Sequence, residues 1–172
     1  MDFKQFKDEG IIKQLPEIES SAYIKFHRNN YEEDRIVAAK IITISPKWAI
    51  VISYYAMHNR AKLFLAENYS LKISGKFVHQ ATIEAMKNCL KEKAISKRLI
   101  DLLVKAKEKY TSLNLDINEE EILPALLEEA RKERAKAQYY THRMLTAEIT
   151  RKESESFCSE IMTPFIELLE KL

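Results

Sequence analysis

Glycine and proline are scarce in this chain, with two glycines and four prolines in 172 residues. So little turn-forming material excludes hairpin-rich architectures and leaves long helices. Cysteine is nearly as rare. Cys89 and Cys158 lie far apart in the sequence and match no disulfide framework, zinc site or redox pair, so they read as reduced thiols of a cytosolic protein. No apolar stretch approaches the roughly 18 residues of a membrane helix. The charged opening MDFKQFKDEG has no apolar run of the signal-peptide kind. The expected location is the cytoplasm, with no membrane contact. A net charge of +2 argues neither for nor against nucleic acid, because a local patch can still be basic. HExxH, a phosphate-binding glycine loop and GxSxG are all absent. The four histidines, His27, His58, His79 and His142, follow Ile24, Tyr55, Lys76 and Tyr139 by three places. No Glu-x-x-His pair of a ferritin-like bundle exists, and neither a metal nor a cofactor is expected.

What is present suits a globular protein: 46% apolar and 31% charged residues. The length fits a single domain over 1–172, with residues 1–15 expected as a flexible leader. Pro16 suits a first helical position, and the sequence from there to about residue 43 can be helical, with a possible break at Asn29-Asn30. Ser45-Pro46 is a strong start signal, serine to cap and proline to preset the first dihedral. It predicts a helix over 46–67 that should be the most buried of all. Further helices are expected over about 77–92, 96–112 and from Pro124 to about 150, with NYSLKISGK and LNLDINEEE as connections. A last helix, interrupted or restarted at Thr163-Pro164, reaches the C-terminus. No segment alternates convincingly with period two. The expected fold is all-α, an up-and-down bundle of about five to six helices.

The second helix contains SYYAMHNRAKLFL, residues 53–65. At about 100° per residue, Ile50, Val51, Met57, Ala61 and Leu65 share one face with Tyr54, while Trp48, Ile52, Ala56 and Leu63 lie opposite. Two apolar faces mean neighbours on two sides. His58 falls inside the first face, where a histidine is ordinarily a hydrogen-bonded core residue and less often a ligand. Arg60 falls at the edge between the faces, as a solvated or interface charge.

These residues resemble the second helix of HEPN domains (higher eukaryotes and prokaryotes nucleotide-binding), which often reads as serine, two tyrosines, alanine, methionine, an aromatic and a histidine. Here His58 stands at the aromatic position and Asn59 at the histidine position. HQATIEAM, residues 79–86, is similar to the family's third helix, with His79 at its leading histidine. RAKAQY, residues 134–139, is similar to its arginine–alanine–acid–tyrosine stretch, with Gln138 in place of the acid. The resemblance covers about residues 30–172. It implies a helical bundle that pairs as a homodimer, often beside a nucleotidyltransferase partner in toxin–antitoxin pairs. It also implies, for many members, metal-independent ribonuclease activity through an arginine followed after some four to six residues by a histidine.

This chain lacks that spacing, since no arginine has a histidine five, six or seven positions on. Arg134 and His142 come nearest. Cleavage of RNA by its own 2′-hydroxyl needs a base to take the proton and a cation to hold the phosphate charge. Eight residues turn the two side chains about 80° apart on a regular helix, although a dimer could bring one copy's His142 to the other's Arg134. Leu123, Leu126, Leu127, Ala130, Ala137, Met144 and Leu145 share one arc of the same segment. Arg134 projects inside it, and Arg131, Gln138 and His142 line its edge. An arginine there needs an anionic or carbonyl partner, either a buried salt bridge or a phosphate or dimer contact. Tyr139 and Tyr140 point away, as stacking surfaces for bases or as ordinary packing.

The candidate catalytic pair is therefore Arg134 and His142, with Arg131, Gln138, Tyr139 and His79 as nucleotide or RNA contacts. The leading expectation is a HEPN-like nucleotide- or RNA-binding or toxin–antitoxin-type interaction protein, paired with a nucleotidyltransferase and carrying a degenerate catalytic motif. An active endoribonuclease toxin and a purely structural interaction bundle are the alternatives.

Overall fold

The computed structural model describes residues 1–90, 96–113 and 149–172. It is an all-α helical bundle with one small two-stranded ribbon. The described elements are α1 (Phe3–Asp8), β1 (Ile12–Gln14), α2 (Glu17–Ile41), α3 (Pro46–Tyr69), β2 (Leu71–Ile73), α4 (Val78–Cys89), α5 (Ser96–Ser112), α6 (Arg151–Phe157), a π turn (Cys158–Met162) and α7 (Thr163–Glu170).

The first fifteen residues are structured, which corrects the expected leader. Asp2 and Gln5 form a reciprocal capping box that starts α1. Phe6, Ile11, Ile12 and Leu15 are all buried, and those four apolar anchors hold the segment against the bundle. β1 pairs antiparallel with β2 in the register Ile12↔Ile73, Lys13↔Lys72 and Gln14↔Leu71. Strands of three residues are too short to show an alternation. α3 runs almost directly into β2 through Ser70, a left-handed C-cap whose N–H returns to the Ala66 and Leu65 carbonyls. Gly75 leaves the ribbon at φ +90, where a side chain would be strained.

α2 is unbroken through Asn29-Asn30. Two asparagines weaken a helix by roughly a kcal/mol or so, and the long α2–α3 seam outweighs that. Pro16 is the N-cap of α2 and not its first helical residue. Ser45-Pro46 does begin α3, but Ser45 makes no side-chain capping bond. α3 carries more buried residues than any other described helix, including Tyr54, Met57, Phe64 and Leu65. It meets α2 along one side and α4, α5 and the C-terminal helical run along others, as two apolar faces require. Arg60 is not at a solvated edge: it is 8% exposed, its Nη2 reaches the Leu169 carbonyl at 3.5 Å, and its guanidinium lies over the Tyr31 ring.

The C-terminal run is interrupted close to Thr163-Pro164. Pro164 has no N–H to return to the preceding turn, and the Thr163 N–H reaches back five residues to the Cys158 carbonyl. The run begins with a second capping box, Thr150 with Glu153. Thr150→Ala is expected to lower stability by about 1 kcal/mol in urea unfolding, and a midpoint unmoved from the parent chain would show that the cap holds nothing. The helix expected from Pro124 to about 150 lies outside the described residues.

Candidate functional site

Two neighbouring features gather the buried histidines. The first is a tyrosine–histidine cluster where α3, α4 and α5 meet. Helical spacing puts Tyr54 and His58 on one side of α3, facing His79 and Thr82 on α4. The Tyr54 hydroxyl and His79 Nδ1 share a hydrogen bond of 2.7 Å. His58 Nε2 is 3.0 Å from Thr82 Oγ1, whose own hydroxyl donates to the Val78 carbonyl. The two imidazoles lie 4.2 Å apart, centroid to centroid. From α5, Tyr110 stacks on Tyr54 at 4.6 Å, and its hydroxyl meets that of Tyr55 at 3.2 Å.

Both histidines are held neutral. Burial, and then the positive charges of Lys62 and Lys107, push His79 down to about 3. Burial, with His79 and Lys62 beside it, pushes His58 well below the usual histidine range. His58 is thus the satisfied core histidine that its helical face implied.

The second feature is a groove of about 580 Å³ between α2 and α3. Its walls include Val37, Ile41 and Ile52, with the aromatic rings of Trp48 and Tyr55. One end carries Asn30, Asp34 and Asn59. There a chain of hydrogen bonds crosses from one helix to the other and back. The Asn59 amide donates to Asp34 Oδ2 at 3.1 Å, so the Asn59 oxygen is left to accept, and it lies 2.9 Å from His27 Nδ1. His27 therefore carries its proton on Nδ1. Its ring is 4% exposed and sits edge-on to Tyr23 and Phe26.

Burial and Lys62 press His27 down to about 4, against the Asn59 hydrogen bond. Burial raises the Asp34 carboxyl to about 6, with the Asn59 N–H opposing and Glu33 adding. At neutral pH the network is a neutral imidazole, an amide and a carboxylate.

Of the residues expected at a site, His79 lies in the interior, 8% exposed, within the tyrosine–histidine cluster. Arg131, Arg134, Gln138, Tyr139 and His142 lie outside the described residues. The Asp34–Asn59–His27 chain was not among the expectations. Its signal in the sequence was Asn59, a polar residue in the middle of an apolar helix. Its partners on α2 sit among ordinary surface charges. Among the described residues no three histidine, cysteine, aspartate or glutamate side chains group to hold a metal ion. Among them too, no helix is long and apolar enough to cross a membrane. A scan of family models, a search of curated proteins and a search of solved structures each return no match to the chain.

Proposed function

We propose that this chain is a HEPN-like helical protein that binds nucleotide or RNA, acts as a homodimer beside a nucleotidyltransferase partner of toxin–antitoxin type, and carries a degenerate ribonuclease motif. One observation carries the reading. The two stretches of the HEPN resemblance that fall on described helices, SYYAMHNRAKLFL on α3 and HQATIEAM on α4, are direct partners. Tyr54 bonds His79, and His58 bonds Thr82. Residues quoted for the likeness thus meet in one interface, as members of a shared helical core would.

Binding without turnover follows from the spacing of Arg134 and His142. A positioned base contributes roughly 10²–10⁴-fold to rate, and a base turned about 80° from its phosphate-holding cation forfeits most of it. Purified protein incubated with labelled RNA in chelator is expected to bind and to cleave weakly or not at all. Robust cleavage that a His142→Ala variant loses would promote the endoribonuclease reading in its place. Failure to bind any RNA or nucleotide, with no nucleotidyltransferase co-purifying, would leave an interaction bundle.

A further inference from the structure

The α2–α3 groove has the dimensions of a small-ligand site and, at the end that carries Asn30, Asp34 and Asn59, a carboxylate with unused hydrogen-bonding capacity. Asp34 spends one lone pair, on Oδ2, for the Asn59 amide. An ionised carboxylate offers about four acceptor positions and no donor. Asp34 lines a groove whose other walls are mostly aliphatic and aromatic, with Asn30 beside it and Ser45 at the far end. An occupant with a flat apolar body and a pair of adjacent N–H donors on one edge suits both.

From these features we infer that the groove binds the guanine base of a nucleotide, with Asp34 accepting from the ring N1–H and the exocyclic amino group. This rests on the nucleotide-binding reading above and names the base and the place. Guanine is the common base whose pairing edge puts two donors side by side. Adenine sets its ring N1 acceptor against the carboxylate, and uracil flanks its single donor with two carbonyls. Asn30, one helical turn before Asp34 and at the same end of the groove, has an amide N–H suited to the guanine O6. Tyr55 lies one turn before Asn59 on α3 and offers the ring for stacking. Trp48 is seven residues before Tyr55, about 10 Å along the helix, and lines the same groove.

Trp48 is the single tryptophan of the chain, so its fluorescence reports occupancy of this groove. The full chain at pH 7.5 is titrated with guanosine, inosine and adenosine monophosphates. The expected order is guanosine over inosine over adenosine, with guanosine at least about tenfold tighter than adenosine, as a lost bidentate pair implies. Inosine lacks only the exocyclic amino group and falls between. Asp34→Asn replaces an acceptor with a donor and is expected to abolish the guanosine preference while leaving the helical circular dichroism intact.

Equal affinity for guanosine and adenosine monophosphates would overturn the assignment. So would unchanged guanosine affinity in Asp34→Asn. RNA or nucleotide binding seen by calorimetry with no Trp48 response would overturn the groove site and leave the nucleotide-binding reading standing. No binding by calorimetry to RNA or to any nucleotide would remove both. A Trp48 response to an amphipathic partner helix and to no nucleotide would give the groove to a protein and overturn the inference as well.

Discussion

Tyr54→Ala is expected to lower stability by about 3–5 kcal/mol, the range for deleting a buried aromatic ring. Against a total of roughly 5–15 kcal/mol for a domain, that leaves a marginal fold. Tyr54 is 1% exposed and touches the other four rings of the cluster. It stacks on Tyr110 of α5, hydrogen-bonds His79 of α4 and lies against Tyr55 and His58 of its own helix. Removing it opens a cavity at the junction of three helices, where none can move inward without leaving another contact. Tyr54→Phe keeps the ring and removes only the hydroxyl, so it is expected to cost about 1–2 kcal/mol through the His79 hydrogen bond. Urea unfolding of the two variants checks both numbers. A loss below about 1.5 kcal/mol for the alanine variant would mean that the junction repacks.

Mild acid should destabilise the protein more than any surface change. His27, His58 and His79 are 4%, 5% and 8% exposed, and burial lowers the pKa of each below the ordinary 6.5. Such a group contributes its full share above about pH 6.5. Below that, the unfolded chain binds a proton the folded one refuses, and stability falls until the folded pKa is reached, near 4 for His27 and near 3 for His79. His27 and His79 then each cost about 1.4 kcal/mol per pH unit, or about 2 kcal/mol by pH 5, and His58 adds in the same direction. Asp34 works in the opposite sense. Its carboxyl is raised to about 6, so its contribution is present below the ordinary carboxylate pKa and lost as pH rises through 6. One partly exposed carboxyl offsets only part of three buried imidazoles. The urea midpoint is therefore expected to hold steady from pH 8 to 7 and to drop steeply between 6.5 and 5. A His79→Gln variant, one proton fewer, should show a shallower slope. A midpoint flat down to pH 5 would mean that these imidazoles are protonated in the folded state.

The parts of the fold that were legible in the sequence are those where one segment speaks for itself. α5 was expected over 96–112 and is found at Ser96–Ser112, because its start and its apolar period are both local. α3 was legible as the central helix because two apolar faces cannot belong to a surface element. The N-terminal segment was not legible. Phe6, Ile11, Ile12 and Leu15 become core residues only because β2 and α4 stand beside them, and no local pattern announces a neighbour fifty residues away. The same limit hid Asp34. On α2 it is one carboxylate among Glu32, Glu33 and Arg35, and only the docking of α3 brings Asn59 to it. α2 itself misleads, since Ile18 and Phe26 are exposed at 93% and 59% and blur the stripe that would mark its inner face. Arg60 misled for a related reason. A helical wheel places it at an edge but does not show that α7 ends over that edge.

The π turn of Cys158–Met162 has a consequence for any change of length in this helix. In a regular helix each residue advances about 100°. Ser154 and Phe157 before the turn would then point about 100° away from the average direction of Phe165, Ile166 and Leu169 after it. The wider turn absorbs one residue's worth of rotation, so all five reach the same side and are buried. The turn is in effect a one-residue insertion whose extra rotation the wider turn takes up. Deleting a single exposed residue there, such as Ser159, would restore a regular helix and leave Phe165, Ile166 and Leu169 on the core side. When homologous chains are aligned through this helix, a gap of one residue at this place is compatible with the same packed C-terminus, whereas a gap of one residue in the regular turns beside it marks a repacked one.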